Sequence, residues 1–151
     1  MFRKCKPISL EKFPKDQITT DKTNCLAFAL GIKKPKRRKN QYSLLIAKEP
    51  IEKLFLKKVK ELGFNPKQFR SIRRIEEEKE KGYIIRLYGF VPEETLDDGI
   101  KYDFHVIRRE PNGKWVHKPG FFFEPREILD DDWNLIFDKF GNRFISFALD
   151  A

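Results

Sequence analysis

The chain has 151 residues, of which 40% are hydrophobic and 14% aromatic, so its composition is that of a folded domain and not of a disordered segment. Its 32 Lys and Arg against 23 Asp and Glu give a formal charge of +9, which favours acidic partners such as nucleic acid, an anionic membrane or an acidic protein. No apolar run approaches the ~20 residues of a membrane-spanning helix, and the N-terminus has no signal-peptide core. We therefore expect a soluble, cytoplasmic protein with one domain over residues 1–151.

A short, largely buried helix is predicted to begin at Cys25. Asn24 and the polar residues before it are competent N-caps, apolar helix formers follow, and Gly31 suits the C′ position. The first turn of a helix stabilises an anion, which lowers the pKa of a thiol. The other cysteine, Cys5, is too far from Cys25 in sequence to form a CxxC pair. Cys25 is thus a candidate nucleophile, and the alternative is a small apolar residue of the core.

The segment Lys33–Lys39 is strongly basic, since six of its seven residues are Lys or Arg. It predicts a solvated loop that could contact phosphate groups or an acidic protein. No aromatic residues are interleaved for base stacking, so the pattern does not predict sequence-specific recognition of nucleic acid.

The remaining elements follow from apolar periodicity and from turn residues. The clearest is an amphipathic helix over Glu49–Leu62, with Pro50 at N1 and Gly63 after its end. The other expectations are a short helix or lead-in at Tyr42–Ala47, a central strand at Tyr83–Val91, an acidic loop at Pro92–Gly99, a histidine-bearing hairpin at Tyr102–Gly120, apolar core at Phe121–Phe123 and a closing strand at Asn142–Leu149. This order predicts an α+β fold, with N-terminal helices packed on a mostly antiparallel β-sheet.

The hairpin carries both histidines of the chain, His105 and His117, on opposite arms. Asn112-Gly113 is a strong hairpin signal. Because strand side chains alternate between faces, a three-residue loop at Pro111–Gly113 puts both imidazoles on one face of the sheet, one diagonal step apart. A pairing of residues whose numbers sum to 222 instead of 224 would bring the two imidazoles directly opposite each other. A two-residue loop, which gives an odd sum, would separate them onto opposite faces. Asp103 and Trp115 share the predicted face.

These residues suit a cysteine hydrolase, which needs a thiolate, an imidazole within hydrogen-bond reach and a third group that orients the imidazole. Cys25 would attack, His105 would act as base and then as acid, and His117 would orient His105. Asp103 is the rival for the orienting role. The alternative is a satisfied cross-strand pair of histidines without a catalytic role.

The sequence resembles the papain-like cysteine hydrolases at three segments, Asn24–Ala29, Phe104–Val106 and Trp115–Lys118. A Cys that opens a helix, followed by a strand with His and a neighbouring strand with a second polar residue, is similar to the NlpC/P60 branch, in which the third catalytic position is often His. The resemblance implies a papain-like fold with a Cys-His-His site. Asn24 stands where that branch commonly has Asp. The same segments are also similar to a group of small, little-characterised bacterial and phage proteins.

The function expected from this layout is a thiol-dependent amide hydrolase or acyl transferase of peptidase, amidase or deamidase type, without a cofactor. The oxyanion would be held by the backbone N–H of Cys25 and by an upstream donor, for which Gln17 is the only upstream Gln. The substrate would be a peptide, an amide or an acyl group.

Two other functions are open. One is a non-enzymatic basic binding module, of phage or effector type, that docks an acidic host protein or nucleic acid through Lys33–Lys39. The other is a metal site formed by Cys25, His105 and His117 with Asp103, which have suitable ligand chemistry but no tight spacing such as HExxH.

Overall fold

The computed structural model of the protein describes residues 2–14, 24–32, 45–46, 50–74, 76, 82–96, 99–119 and 124–150, with the backbone alone at 45–46, 90–96 and 99–103. The helices of this part of the chain are α1 (Cys25–Ala29), α2 (Ile51–Glu61) and α3 (Asp130–Phe140). The strands are β1 (Leu45–Ile46), β2 (Phe69–Ile72), β3 (Ile84–Leu96), β4 (Gly99–Arg109), β5 (Trp115–His117), β6 (Arg126–Glu127) and β7 (Phe144–Leu149). Short 3-10 turns lie at Leu10–Lys12 and Pro66–Gln68.

The strands form one antiparallel sheet in the order β2-β7-β3-β4-β5-β6, and β1 pairs with the far end of β4. The predicted α+β class with a mostly antiparallel sheet is therefore confirmed. The strand predicted at Tyr83–Val91 is central, since β3 lies between β7 and β4.

Helix α1 has the two ends that its sequence predicts. The side-chain Oδ1 of Asn24 accepts a hydrogen bond of 2.9 Å from the backbone N–H of Ala27, which caps the first turn. At the other end Ile32 N–H donates to Ala27 O and Gly31 N–H donates to Phe28 O, with Gly31 at φ 76°. This is the Schellman arrangement, and it confirms Gly31 at C′.

Helix α2 confirms the predicted amphipathic helix with a small shift at its start. Pro50 is the N-cap and not the first helical residue, because its ψ of 143° is extended. Leu54, Phe55 and Val59 are buried on one stripe, and the chain leaves the helix through Gly63 at φ 92°.

Two predicted elements differ from the structure. Leu45–Ile46 is a strand and not part of a helix. The predicted acidic loop after Pro92 is instead the extension of β3, because its backbone pairs with β4 through Leu96. Bulges before and after Pro92 let the ladder accommodate a residue without an N–H. Phe121–Phe123 lies outside the described residues.

The sheet has helices on both faces. On β4, Phe104, Val106 and Arg108 contact the face covered by α1 and α2, where the rings of Phe55 and Phe147 stack at 4.9 Å. The alternate residues of β4 point to the other face, which is covered by α3. The N-terminal helices therefore pack on the sheet as predicted, while the C-terminal helix lies on its opposite face. None of the described helices is long and apolar enough to cross a membrane.

Candidate functional site

The histidine hairpin closes through the predicted three-residue loop Pro111–Gly113. The N–H of Glu110 donates to Lys114 O, and the N–H of Gly113 donates to Glu110 O, both at 2.8 Å. Gly113 has φ 90°, the left-handed conformation that this loop type needs. Of the two registers that the sequence left open, the structure has the one with the three-residue loop, and the predicted parity of the two strands is confirmed.

The two imidazoles lie on the same face and in contact. The register of β4 with β5 pairs Arg109 with Trp115, so that His117 continues opposite Ile107 and one diagonal step from His105. Nε2 of His105 lies 2.7 Å from Nδ1 of His117, and the two rings meet edge to face at 76° with centroids 4.9 Å apart. His117 is buried, whereas His105 is partly exposed.

A carboxylate that the sequence analysis missed stands behind the pair. Oδ2 of Asp132, in the first turn of α3, lies 3.6 Å from Nε2 of His117. Asp132 is itself held in place, because its Oδ1 accepts a hydrogen bond of 2.7 Å from Arg126 and its Oδ2 accepts one of 3.4 Å from the N–H of Leu129. The side chains thus form a chain from His105 through His117 to Asp132 and Arg126.

This chain has a direction that the carboxylate sets. At 3.6 Å this contact is electrostatic and not a hydrogen bond, and Nε2 of His117 is buried without a hydrogen-bond partner among the described residues. An ionised Asp132 nevertheless attracts a proton, so its charge favours the tautomer of neutral His117 that is protonated on Nε2. Nδ1 of His117 then accepts, and Nε2 of His105 must donate. Nδ1 of His105 is left with the lone pair. A carboxylate and an imidazole behind a second imidazole are the arrangement that would orient a general base.

Burial keeps both imidazoles neutral. Burial lowers the pKa of His105 to about 3; repulsion from His117, when it is protonated, and from Lys139 acts in the same direction, and Asp132 opposes this shift. Burial likewise lowers the pKa of His117 to about 4, against the opposing effect of Asp132. Burial alone would raise the pKa of the Asp132 carboxyl, but the hydrogen bond from Arg126 leads the contacts that lower that pKa below its usual value.

Trp115, a predicted supporting residue, packs beside the histidines. Its ring meets Trp133 of α3 edge to face with centroids 6.1 Å apart, and the guanidinium of Arg86 lies 4.3 Å from its centroid on the sheet side. These contacts fix α3 against the sheet and so position Asp132.

Cys25 does not join the histidines. It is the first residue of α1, is only 7% exposed, and belongs to the apolar cluster with Val106. Arg108 marks the same face of the sheet, because its guanidinium donates to Phe28 O at 2.8 Å and lies 4.3 Å from the Phe28 ring. His105 points to the opposite face. The expected convergence is therefore present for the two imidazoles and absent for the thiol, and the nucleophilic role of Cys25 stays a prediction.

The remaining predicted site residues are distributed as follows. Asn24 caps α1. Asp103 lies in β4, paired with Val91, and its side chain is outside the described atoms. Gln17 and the basic segment Lys33–Lys39 lie outside the described residues.

The metal hypothesis finds no support in the geometry. Cys25 and the two histidines lie on opposite faces of the sheet and cannot ligate one ion. In the part of the chain that the structure describes, no group of three or more His, Cys, Asp or Glu side chains is placed to hold a metal ion.

The sequence contained one signal for Asp132. Three consecutive acids, Asp130–Asp132, precede Trp133, and acids in that position are typical of the first turn of a helix. The signal predicts the helix start but not the contact with His117, which depends on how α3 packs on the sheet.

Comparison of the chain with protein-family models, with curated proteins and with solved structures found no match in any of the three.

Proposed function

We propose that the protein is an amide hydrolase or acyl transferase in which His105 is the general base. The observation that carries the proposal is the 2.7 Å contact between His105 and His117, with the Asp132 carboxylate behind it. The resemblance of the sequence around these histidines to the NlpC/P60 branch agrees with this reaction class.

The chemistry follows from the direction of the chain. Nδ1 of His105 takes the proton of the attacking group as that group adds to the acyl carbon, while its Nε2–H stays bonded to His117. Burial disfavours the positive charge that develops on His105, as its lowered pKa shows, and the carboxylate of Asp132 offsets part of that cost. On collapse of the tetrahedral intermediate, the same proton passes to the leaving group.

The position of Cys25 decides which group attacks. A thiol-dependent reaction needs the sulfur within hydrogen-bond reach of the base. Because Cys25 lies across the sheet from His105, the arrangement supports attack by water, or by an acceptor hydroxyl or amine, in place of the thiol. Cys25 then serves as a small apolar core residue at the start of α1.

The test compares three variants on a panel of p-nitrophenyl esters and peptide p-nitroanilides. His105→Gln should lower the rate by roughly 10²- to 10⁴-fold, which is the usual contribution of a general base. Cys25→Ser should retain most of the rate, and His117→Gln should lie between the two. Circular dichroism and thermal unfolding verify that each variant is folded.

Two results would contradict the proposal. If a folded His105→Gln variant reacts at the wild-type rate, His105 is not the general base. If folded Cys25→Ser loses most of the activity and its residual rate keeps the pH dependence of the wild type, the thiol-dependent reaction predicted from sequence is supported and attack by water is ruled out.

A further inference from the structure

The sheet has an outer strand whose far edge is open among the described residues. Strand β2 pairs with β7 on one side, and in the described chain no strand pairs with its other side. The N–H of Asp150 donates to Gln68 O at 2.9 Å, which fixes the phase of the ladder. In an antiparallel pair, hydrogen-bonded residues alternate. Arg70 and Ile72 therefore bond toward β7, while the N–H and C=O of Ser71 point to the open edge.

This edge is basic. Exposed cations occur before, within and after β2: Lys67, Arg70, Arg73 and Arg74. Asp150 lies 3.5 Å from Arg70 and Glu52 lies 3.5 Å from Arg73, and a third acid, Glu76, is exposed two residues after Arg74. The side chain of Arg73 is 74% exposed in spite of its contact. Among the described residues of this edge, four cations therefore stand against three acids.

A cavity of about 340 Å³ lies at the start of the same strand. Gln68, the residue that precedes β2, lines it together with Asn65, the cations Arg3, Lys4 and Lys67, and the acid Asp150. Phe2, which is 45% exposed, forms an apolar wall. The three cations outnumber the one carboxylate, which also contacts Arg70, so the cavity suits a side chain with an aliphatic stem and an anionic end.

We propose that the open edge of β2 binds an acidic peptide segment in extended conformation, which adds to the sheet as a further strand. Main-chain hydrogen bonds to Ser71 supply recognition of the peptide backbone, and the cations on either side select acidic side chains. This interaction is separate from the base at His105, which lies three strands away.

The observations favour this occupant over two others. A second copy of this chain would bring the same basic edge against itself, and cations on an edge strand oppose such pairing. Nucleic acid would be attracted by the charge, but it has no use for an outward N–H and C=O at strand spacing. An acidic peptide matches both the charge and the backbone groups.

The test uses a fluorescein-labelled peptide of roughly ten residues that alternates Glu and Val, so that charged side chains lie on one face of a strand. Fluorescence anisotropy measures its binding to the full chain. Ser71→Pro removes the outward N–H but no bond to β7, and Ser71→Ala is its matched control. Arg73→Glu with Arg74→Glu reverses the charge at the edge, and Lys12→Glu with Lys114→Glu makes the same charge change at exposed positions away from β2.

We expect Ser71→Pro and the Arg73/Arg74 reversal each to weaken binding by about tenfold or more, with the controls within about threefold of the wild type. The same peptide with alternate backbone nitrogens methylated should also bind at least about tenfold more weakly, because it cannot form the ladder. That probe keeps the test valid if Ser71→Pro fails to fold.

Three results would overturn the proposal. The first is no measurable binding of the acidic peptide. The second is equal binding of the methylated peptide, which would show attraction by charge alone. The third is tighter binding of a single-stranded oligothymidylate that is indifferent to Ser71→Pro, which would identify a nucleic-acid surface.

Discussion

Nε2 of His105 and Nδ1 of His117 lie 2.7 Å apart, so one of these nitrogens is protonated and donates a hydrogen bond that the other accepts. The Asp132 carboxylate, 3.6 Å from the far nitrogen of His117, favours a proton on that nitrogen through its charge. Asp132 accepts hydrogen bonds from Arg126 and Leu129, so we expect this buried acid to bias the tautomer of a partly exposed imidazole two contacts away. Three of the measurable consequences below concern these side chains and the thiol across the sheet.

The tautomers can be measured directly. We expect ¹⁵N NMR at neutral pH to show a protonated Nε2 and an unprotonated Nδ1 in both His105 and His117, because Asp132 only accepts. Asp132→Ala should produce a mixture of tautomers. Asp131→Ala, an exposed neighbour in the same helical turn, should leave the spectrum unchanged. A protonated Nδ1 on His105 in the wild type would contradict the assigned direction.

Stability should fall on acidification before most native structure is otherwise disturbed. The pKa is about 3 for His105 and about 4 for His117 in the folded chain, against an ordinary value of 6.5. Between pH 6.5 and about 4 the unfolded chain therefore binds more protons than the folded chain. The free energy of unfolding is therefore highest above pH 6.5, where both imidazoles are neutral in either state. It falls as the pH falls, with a limiting slope of about 1.4 kcal/mol per pH unit for each imidazole.

Urea unfolding at a series of pH values measures that slope. The double variant His105→Gln with His117→Gln should show a shallower fall in the free energy of unfolding between pH 6.5 and 4, whatever its absolute stability. Identical slopes in the variant and the wild type would show that these imidazoles are not held neutral by burial.

The two thiols should both be protected from alkylation. Cys5 is 2% exposed, its Sγ donates to Leu30 O at 3.3 Å, and burial raises its pKa to about 12 against the opposing effect of Arg108 and Arg3. Cys25, the first residue of α1, is 7% exposed. We expect iodoacetamide to modify the native protein at least about tenfold more slowly than the urea-unfolded chain, because reaction requires local opening.

The Cys5→Ser variant isolates the response of Cys25. If Cys25 in that variant reacts faster in the folded than in the unfolded state, the start of α1 presents an activated thiolate. That outcome would favour the thiol-dependent mechanism over attack by water.

The sequence predicted what local rules determine. The loop Pro111–Gly113 fixes strand parity, and parity alone puts His105 and His117 on one face. The sequence could not predict which face of the sheet α1 covers, because the same helix pattern fits either face. Asp132 was missed for the same reason, since its contact with His117 arises from the packing of Trp133 against Trp115. Long-range packing, not local propensity, assembled the site.

A buried ion pair ties the N-terminal segment to the sheet. Arg108 is 0% exposed and donates to Ile8 O at 2.6 Å, Phe28 O at 2.8 Å and Glu110 at 3.0 Å, while Glu110 accepts from Leu10 N–H at 2.8 Å. Arg108→Met should lower the free energy of unfolding by roughly 3–5 kcal/mol, because it leaves a buried carboxylate without its partner.

Replacing both partners separates the charge from the packing. Arg108→Met with Glu110→Leu should recover part of that loss, since no unpaired charge remains. Urea unfolding measures both, with Lys114→Met, an exposed change on the same hairpin, as the control. A double variant that is less stable than Arg108→Met alone would show that the backbone contacts, and not the ion pair, dominate.

Two glycines with similar backbone conformations should respond differently to alanine. Gly31 has φ 76° and Gly113 has φ 90°, so an added Cβ is strained at both, by about 1 kcal/mol. At Gly31 that Cβ would also lie 2.8 Å from Lys6 O and from Pro7 Cα, whereas at Gly113 nothing lies within 4 Å. Backbone atoms of a packed segment cannot move aside as a flexible side chain can, so Gly31→Ala should cost clearly more stability than Gly113→Ala in thermal unfolding. Equal losses at the two positions would mean that the N-terminal segment does not pack against the end of α1.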